Sequence, residues 1–359
     1  MTSSSRTPAV PHPEPARAGN LYRVAIVGAA TLKGKEVAEV LNDRNFPSAD
    51  IKLLDDDESL GQLETTGDEI SFIQSVRAEQ FEKVDFTFFA SDPECTLKNW
   101  KTAQKAGSAI VDLSFALEDT PGAVIRAPLI ERQLGQVPAP QLQPAPAVVA
   151  HPAAVVLALL LLRAQKGGGI KRVVATIFEP ASEHGQKGMD ELHEQTVNLL
   201  SFQQLPKKIF DTQVAFNLVT RYGEQSAGTL IGVEQRVLKH YSRITGKQAP
   251  VPSLLMVQAP IFHGHAFALH LELEQAVDIE SMSRALAGEH VVVTHLADDS
   301  PSNVNAAGQG DVLVSLLPDA NLSTGLWLWA AADNLRLAAT TAVECAESMA
   351  ASRPRGQIQ

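Results

Sequence analysis

A β-prone apolar run, Val148-Val149-Ala150, meets His151-Pro152 and passes at once into Ala153-Ala154-Val155-Val156-Leu157-Ala158-Leu159-Leu160-Leu161-Leu162. This pattern predicts a strand feeding a helix N-terminus. Pro152 suits the first helical turn, where its missing N–H has no partner to lose. In an α/β chain such a junction often seats a nucleophile or an anion, because the helix dipole lowers a thiol pKa and favours negative charge. Here it carries Ala153 and Ala154. Neither side chain can attack, donate or ligate.

The flanking sequence alternates strands with helices. Leu21–Val27 reads as a buried strand, Gly28 as a turn, and Lys33–Asp43 as a helix through Val37, Val40 and Leu41. Strands are expected at Ile51–Leu54, Val84–Ala90 and Ala109–Leu113, with a helix over Leu97–Lys105. That alternation predicts βαβ units and a parallel sheet. Gln136–Ala147, with four prolines, reads as a loop at a domain boundary. Lys166-Gly167-Gly168-Gly169 is expected to stop the junction helix. Strands at Ile170–Phe178, Ser253–Pro260, Ala266–Leu273, Val291–Leu296 and Asp311–Leu317 follow, with helices at Gly188–Leu200, Gly232–Thr245 and Asp333–Ala350.

Composition narrows the function classes. At 359 residues the chain is long enough for two domains. A net charge of -11 argues against nucleic acid and anionic membrane as partners. Two cysteines, Cys95 and Cys345, cannot build a disulfide framework, which fits a reducing cytoplasm. Residues 1–20 are rich in Ser, Pro and Ala and are expected to be a disordered tail. The apolar run after Pro152 is shorter than the about 20 residues a membrane span needs.

Several short patterns carry chemistry. Gly28-Ala29-Ala30-Thr31-Leu32-Lys33-Gly34 is a dinucleotide-binding turn in outline, with a pyrophosphate to be held at the helix N-terminus. Thr31 occupies the slot of the middle glycine, so the turn is alternatively one kept only for packing. Asp55 follows the second strand, where an acid would bond a ribose hydroxyl. With Asp56, Asp57 and Glu58 it favours NAD over NADP, or is a solvated acidic turn. His265, beside Gly264, is a candidate general base or a structural histidine. Glu183 and His184 invite a metal reading, but their spacing matches no common site, and no metal is expected. Glu234 and Arg236 could clamp a substrate or simply decorate a helix surface.

Taken in order, these stretches resemble the aspartate-semialdehyde dehydrogenase family over about Tyr22–Ala350. The resemblance rests on Val27–Gly34, Ile110–Leu117, Gly188–Leu192 with Gln195-Thr196, Ala215-Phe216-Asn217, Phe262–His265 and Asp333–Arg336. It implies reduction of an acyl phosphate with NADPH through a cysteine thioester, in a homodimer. The family's nucleophile falls on Ala153, or on Ala154 if the register slips by one. Its glutamine falls on Glu179, its carboxylate-binding arginine on Gln258 and its phosphate-binding arginine on Glu118. The histidine is kept as His265. The substrate-side pair looks like Glu234 and Arg236, and Asn334 falls beside the cofactor. Losing the nucleophile and both arginines removes complementarity to an anionic acyl phosphate. In this the chain resembles the family's Usg-type paralogues.

The expected architecture is α/β. A Rossmann-like domain spans 21–147 and is completed by the terminal helix 333–350. An α+β catalytic-type dimerisation domain spans 148–325. The expected function is a non-catalytic, dimeric binding or regulatory protein of the cytoplasm, with NAD or NADP bound weakly or not at all and a small molecule as a further ligand. The alternative is an NAD(P)-dependent oxidoreductase acting on a semialdehyde or another small carbonyl compound.

Overall fold

The computed structural model describes residues 21–55, 63–66, 69–136, 143–294 and 300–353. The expected N-terminal tail, the acidic residues 56–58 and the middle of the proline-rich loop lie outside the described residues. The first part runs β1 (Tyr22–Val27), α1 (Leu32–Asp43), β2 (Ser48–Asp55), β3 (Leu63–Thr66), β4 (Glu69–Phe72), β5 (Gln74–Ser75), β6 (Phe86–Phe89), α2 (Pro93–Lys105), β7 (Ala109–Asp112), β8 (Val124–Arg126), α3 (Pro128–Gln133) and β9 (Ala147–Val149). The second runs α4 (Pro152–Gly168), β10 (Ile170–Glu179), α5 (Gly185–Leu200), α6 (Leu230–Thr245), β11 (Ser253–Gln258), β12 (His265–Leu273), α7 (Ile279–Leu286), β13 (Val291–Val293), α8 (Asn303–Ala306), β14 (Val312–Pro318), β15 (Gly325–Ala332) and α9 (Asn334–Ser352).

The first sheet has the order β5-β2-β1-β6-β7-β9-β8, and its strand pairs are parallel. The chain direction across the sheet reverses between β1 and β6, which opens a crevice at their C-terminal ends, the usual dinucleotide seat. Two glycines shape that edge. Gly28 has φ +86°, and a Cβ on it would lie 2.4 Å from the Ser91 nitrogen. A Cβ on Gly34 would lie 2.0 Å from the Gly28 carbonyl oxygen. Helix α9 packs back on α1, where Arg336 bonds Glu36 at 2.9 Å and also pairs with Asp43.

The second sheet is mixed, in the order β11-β10-β12-β15-β14-β13. Helix α4 is buried over most of its circumference and packs against α6, α7 and β10. A helix apolar all round belongs in a core, and truncating Leu157 or Leu160 there would cost about 2–5 kcal/mol. The glycine run stops α4 as expected: the helix ends at Gly168, and Gly169 caps it at φ +64°. A Cβ on Gly167 would sit 2.7 Å from that of Ala285, so the glycine lets α7 approach closely. Among the described residues the other sheet face is only partly covered, α8 packing on its Leu313 and Ala331 end. Val174, Leu255, Leu317 and Trp327 share it and are all exposed.

Candidate functional site

The helix expected at the junction is present, and its N-cap is the key residue. His151 Nδ1 accepts the Ala153 N–H at 3.2 Å. The ring proton therefore sits on Nε2, which faces Glu183 Oε2 at 4.0 Å. Burial pushes the His151 imidazole down to about 3, so it is neutral. Ala153 and Ala154 are fully buried behind it. The His151 backbone N–H donates to His240 Nδ1 at 2.9 Å. That leaves His240 Nε2–H to donate to Glu118 Oε2, also at 2.9 Å.

Glu118 stands on the loop after β7. Asp112 builds that loop by accepting the N–H groups of Ser114 and Leu117 at 2.8 and 2.9 Å. Arg236, one turn before His240 on α6, reaches Glu118 at 3.1 Å, and Lys239 lies 3.7 Å from it. Burial works to raise the Glu118 carboxyl, but the His240 and Arg236 hydrogen bonds outweigh it and hold the group down to about 2. Arg236 thus pairs with Glu118, and Glu234 stands two residues before it on the same helix. Phe115 stands on the same loop as Glu118, at φ +63°. Its ring stacks on His151 at 5.5 Å and lies under Arg236 and Lys33 at 5.1 and 4.9 Å. A non-glycine residue at positive φ stores strain, here spent on placing an aromatic ring in the cleft.

Glu179 and Gln258 are directly paired across β10 and β11. The Gln258 amide donates to the Glu179 and Ala259 carbonyl oxygens at 3.0 and 2.9 Å. Its Oε1 accepts the Tyr222 hydroxyl at 2.7 Å, and Glu179 Oε1 lies 3.3 Å from the same oxygen. His184 Nε2 approaches Tyr222 at 2.9 Å. His265 opens β12, rather than lying between strands, and is 1% exposed.

The turn after β10 is a short 3-10 segment, Ala181–His184, and not an open polar loop. It brings Glu183 inward, with its side chain 8% exposed. Asn334 Nδ2 donates to Glu183 Oε1 at 2.8 Å, while Asn334 Oδ1 accepts the Gly264 N–H at 3.1 Å. Burial would raise Glu183, but the neighbouring histidines, Lys33 and Asn334 outweigh it and hold the carboxyl down to about 2.

The nucleotide turn keeps its shape on one side only. Thr31 caps α1 by accepting the Gly34 N–H, and its Oγ1 lies 2.8 and 3.1 Å from the carbonyl oxygens of Gly28 and Ala90. Its side chain thus bridges the top of the β1–β6 crevice, where a bare glycine would let phosphates approach. Asp55 accepts the Ala30 N–H at 2.7 Å, so it braces the turn instead of forming a solvated acidic bend. Toward the second sheet, Asn334 already bonds Glu183, Ser182 and Gly264. A dinucleotide fits the turn in outline.

His151 Nε2 carries a proton and so offers no lone pair to a metal. Among the described residues, one His/acid group converges to metal-ligand reach, namely Glu289, His290 and Glu344. Arg132 already pairs with both of its carboxylates.

The sequence patterns single out none of His151, Tyr222, His240 and Phe115, and give Glu183 only a metal reading. One signal was available. Histidine is an unusual N-cap where Ser, Thr, Asp or Asn is preferred, and it precedes Pro152 directly.

Known proteins place this geometry. Residues 23–136 match the semialdehyde dehydrogenase NAD binding domain, and residues 159–337 match the semialdehyde dehydrogenase dimerisation domain. An aspartate-semialdehyde dehydrogenase of Rickettsia bellii is 31% identical, over 91% of this chain and 97% of its own. A USG-1 protein homolog of Azotobacter vinelandii is 30% identical, over 90% and 96%. The structure of a probable aspartate-semialdehyde dehydrogenase from Pseudomonas aeruginosa superposes with a TM-score of 0.80 at 27% identity, covering 91% of this chain and 98% of that one. With both of its domains matched in order, the chain belongs to the semialdehyde dehydrogenase family.

Proposed function

We propose that this family member has given up acyl-phosphate chemistry and acts as a non-catalytic dimeric binding or regulatory protein. The observation that carries this reading is the Glu118 network. At the position that the resemblance gives to a phosphate-binding arginine, a carboxylate engages Arg236, Lys239 and His240. A phosphate arriving there meets negative charge and cations already committed. Gln258, in place of the second arginine, is saturated by Tyr222 and two carbonyl groups. Ala153 and Ala154 supply no nucleophile, a loss that typically costs several orders of magnitude in rate. The test is phosphate-dependent oxidation of aspartate semialdehyde by purified protein. No turnover above background is expected, and turnover retained after removal of contaminants would overturn the reading.

The same proposal gives weak or absent binding of NAD and NADP, supported by Thr31 and by the Glu183–Asn334 bond. A thermal-shift titration with both nucleotides checks it; a large stabilisation by NADP would contradict it. The homodimer is assigned to the open part of that sheet face, which carries Val174, Leu255, Leu317 and Trp327. The domains are divided at 147/148, a point that falls within β9, with 333–350 returning to the first domain. A cytoplasmic site of action completes the proposal; among the described residues no helix is long and apolar enough to cross a membrane.

A second reading keeps one supporting observation. His265 Nε2 is buried without a hydrogen-bond partner, as a general base awaiting a substrate would be. An NAD(P)-dependent reduction of a small carbonyl compound needs no cysteine. Oxidation of NADPH by a panel of short aldehydes, lost in His265→Gln, would favour it over the first reading.

A further inference from the structure

Helix α7 rests on the glycine end of α4. A Cβ on Gly167 would lie 2.7 Å from the Ala285 Cβ, and one on Gly168 would lie 3.1 Å from Met282 Cε. Met282 and Leu286 are buried there. The neighbouring face of α7 looks over the end of the second sheet, where β13 pairs with β14 over Val291–Val293. Between helix and sheet lies a cavity of about 460 Å³. It is lined from α7 by Ile279, Glu280, Ser283 and Arg284, and from the strands by Val293 and Leu316. Small-molecule sites run from about 300 to 1,000 Å³. Glu280 and Arg284 are exposed, so the mouth opens beside them. None of these residues belongs to the cleft around Glu118 and His151.

We propose that this cavity binds a zwitterionic α-amino acid with a short aliphatic side chain. Its floor is apolar. Ile279, Val293 and Leu316 are half-buried, and each packs on the core that surrounds α4. Val293 pairs with Val314, and Leu316 follows two residues later, so alternation along the strand puts both on the α7 side. Its mouth carries one carboxylate and one guanidinium, a helical turn apart. Cβ atoms at that spacing lie about 5–6 Å apart, and such a pair usually closes on itself. Here Arg284 Nε donates to the Glu280 backbone carbonyl oxygen at 3.3 Å instead. Among the described residues neither charge has an ion-pair partner. The guanidinium keeps its two terminal nitrogens for a ligand carboxylate, whose paired oxygens they match. The Glu280 carboxylate is an acceptor for an ammonium group. A simple anion meets Glu280 as well as Arg284, and a simple amine meets Arg284 as well as Glu280. A ligand carrying both charges satisfies both. The site is separate from the cleft, so the inference holds whether or not the cleft retains chemistry.

The test titrates the full-length protein with L-leucine by calorimetry. Three relatives dissect the ligand. 4-Methylpentanoate lacks the ammonium group, 3-methylbutylamine lacks the carboxylate, and glycine lacks the apolar body. Saturable binding of L-leucine is expected, with each of the three binding at least tenfold more weakly. Arg284→Gln and Glu280→Gln should each weaken L-leucine at least tenfold. Both side chains are exposed, so circular dichroism should be unchanged. Ser283→Leu fills the cavity and removes no charge, and it should abolish binding. No saturable binding of L-leucine would overturn the proposal. So would equal binding of any of the three relatives, or unchanged affinity in both charge variants. Binding that survives Ser283→Leu would show that the ligand sits elsewhere and would overturn it as well. Should one variant fail to fold, the others and the wild-type selectivity still decide.

Discussion

Arg236 on α6 and Glu118 on the loop after β7 meet at 3.1 Å, joining the two halves of the molecule across the cleft. Glu118 also accepts from the buried His240 at 2.9 Å. Glu118→Gln keeps the shape and removes the charge. It should destabilise the protein by about 1–3 kcal/mol near neutral pH, because it weakens two charge-assisted bonds. The folded pKa is depressed, so the contribution is present above the ordinary value of 4.5 and is lost as pH falls toward about 2. Urea titrations of both proteins should therefore converge in strong acid. Equal stability at neutral pH would show that the ion pair is solvated and holds nothing.

His263 and Asp333 form a second tie, at 2.7 Å, between the β11–β12 loop and the N-cap of α9. Burial works to lower His263, but the Asp333 bond and charge win and raise it, with Glu36 and Glu183 adding to the pull. A raised histidine stabilises fully below its unfolded value, and that part is lost as pH rises through the folded value. Asp333 is depressed in turn, so its part is lost only in acid. His263→Gln should cost about 1–2 kcal/mol around pH 6. The gap should narrow, without closing, at alkaline pH, since neutral histidine still donates to Asp333. Melting curves across pH read this out, and a gap that widens with pH would contradict it.

The open part of the second sheet's outer face makes a separate claim. Trp327 is 42% exposed beside His270, with Leu317 paired to it on β14. Trp327→Asp together with Leu255→Asp should convert a dimer to a monomer in light scattering at micromolar concentration. The far-ultraviolet circular dichroism should be unchanged, because these side chains make no part of the α4-facing core. A wild-type monomer, or a variant that stays dimeric, would remove this face as the interface.

Local pattern carried the fold well. Apolar periodicity and the two glycines of the turn placed β1 and α1, and Pro152 placed the start of α4. What could not be read was pairing at long range. Glu118 looked like a repulsive charge because Arg236 and His240, more than a hundred residues away, are not visible from its neighbours. Asp55 reads as a ribose ligand or a solvated acid, and its bond to the Ala30 N–H of the turn cannot be seen from its neighbours. Glu183 and His184 invite a metal reading at a spacing that matches no common site. Folding instead separates them: Glu183 turns toward Asn334 and His184 toward Tyr222.

Restoring the thiol should not restore the family's chemistry. Cysteine at Ala153 or Ala154 would stand at the head of α4, where the helix dipole lowers a thiol pKa. Both positions are fully buried, however, and burial acts the other way, as it does at Cys345, whose thiol is pushed far up. Either variant should therefore react with a bulky thiol reagent more slowly than the partly exposed Cys95 does. Adding Gln258→Arg and Glu118→Arg should still leave no turnover. An arginine at 118 would face Arg236 and Lys239, and His240 would lose its acceptor. The expected result is an inactive, destabilised protein, read by the phosphate-dependent assay and by denaturant titration. Turnover by the single cysteine variant would show that neither Gln258 nor Glu118 stands at an arginine position, and the reading of the cleft built on them would fall.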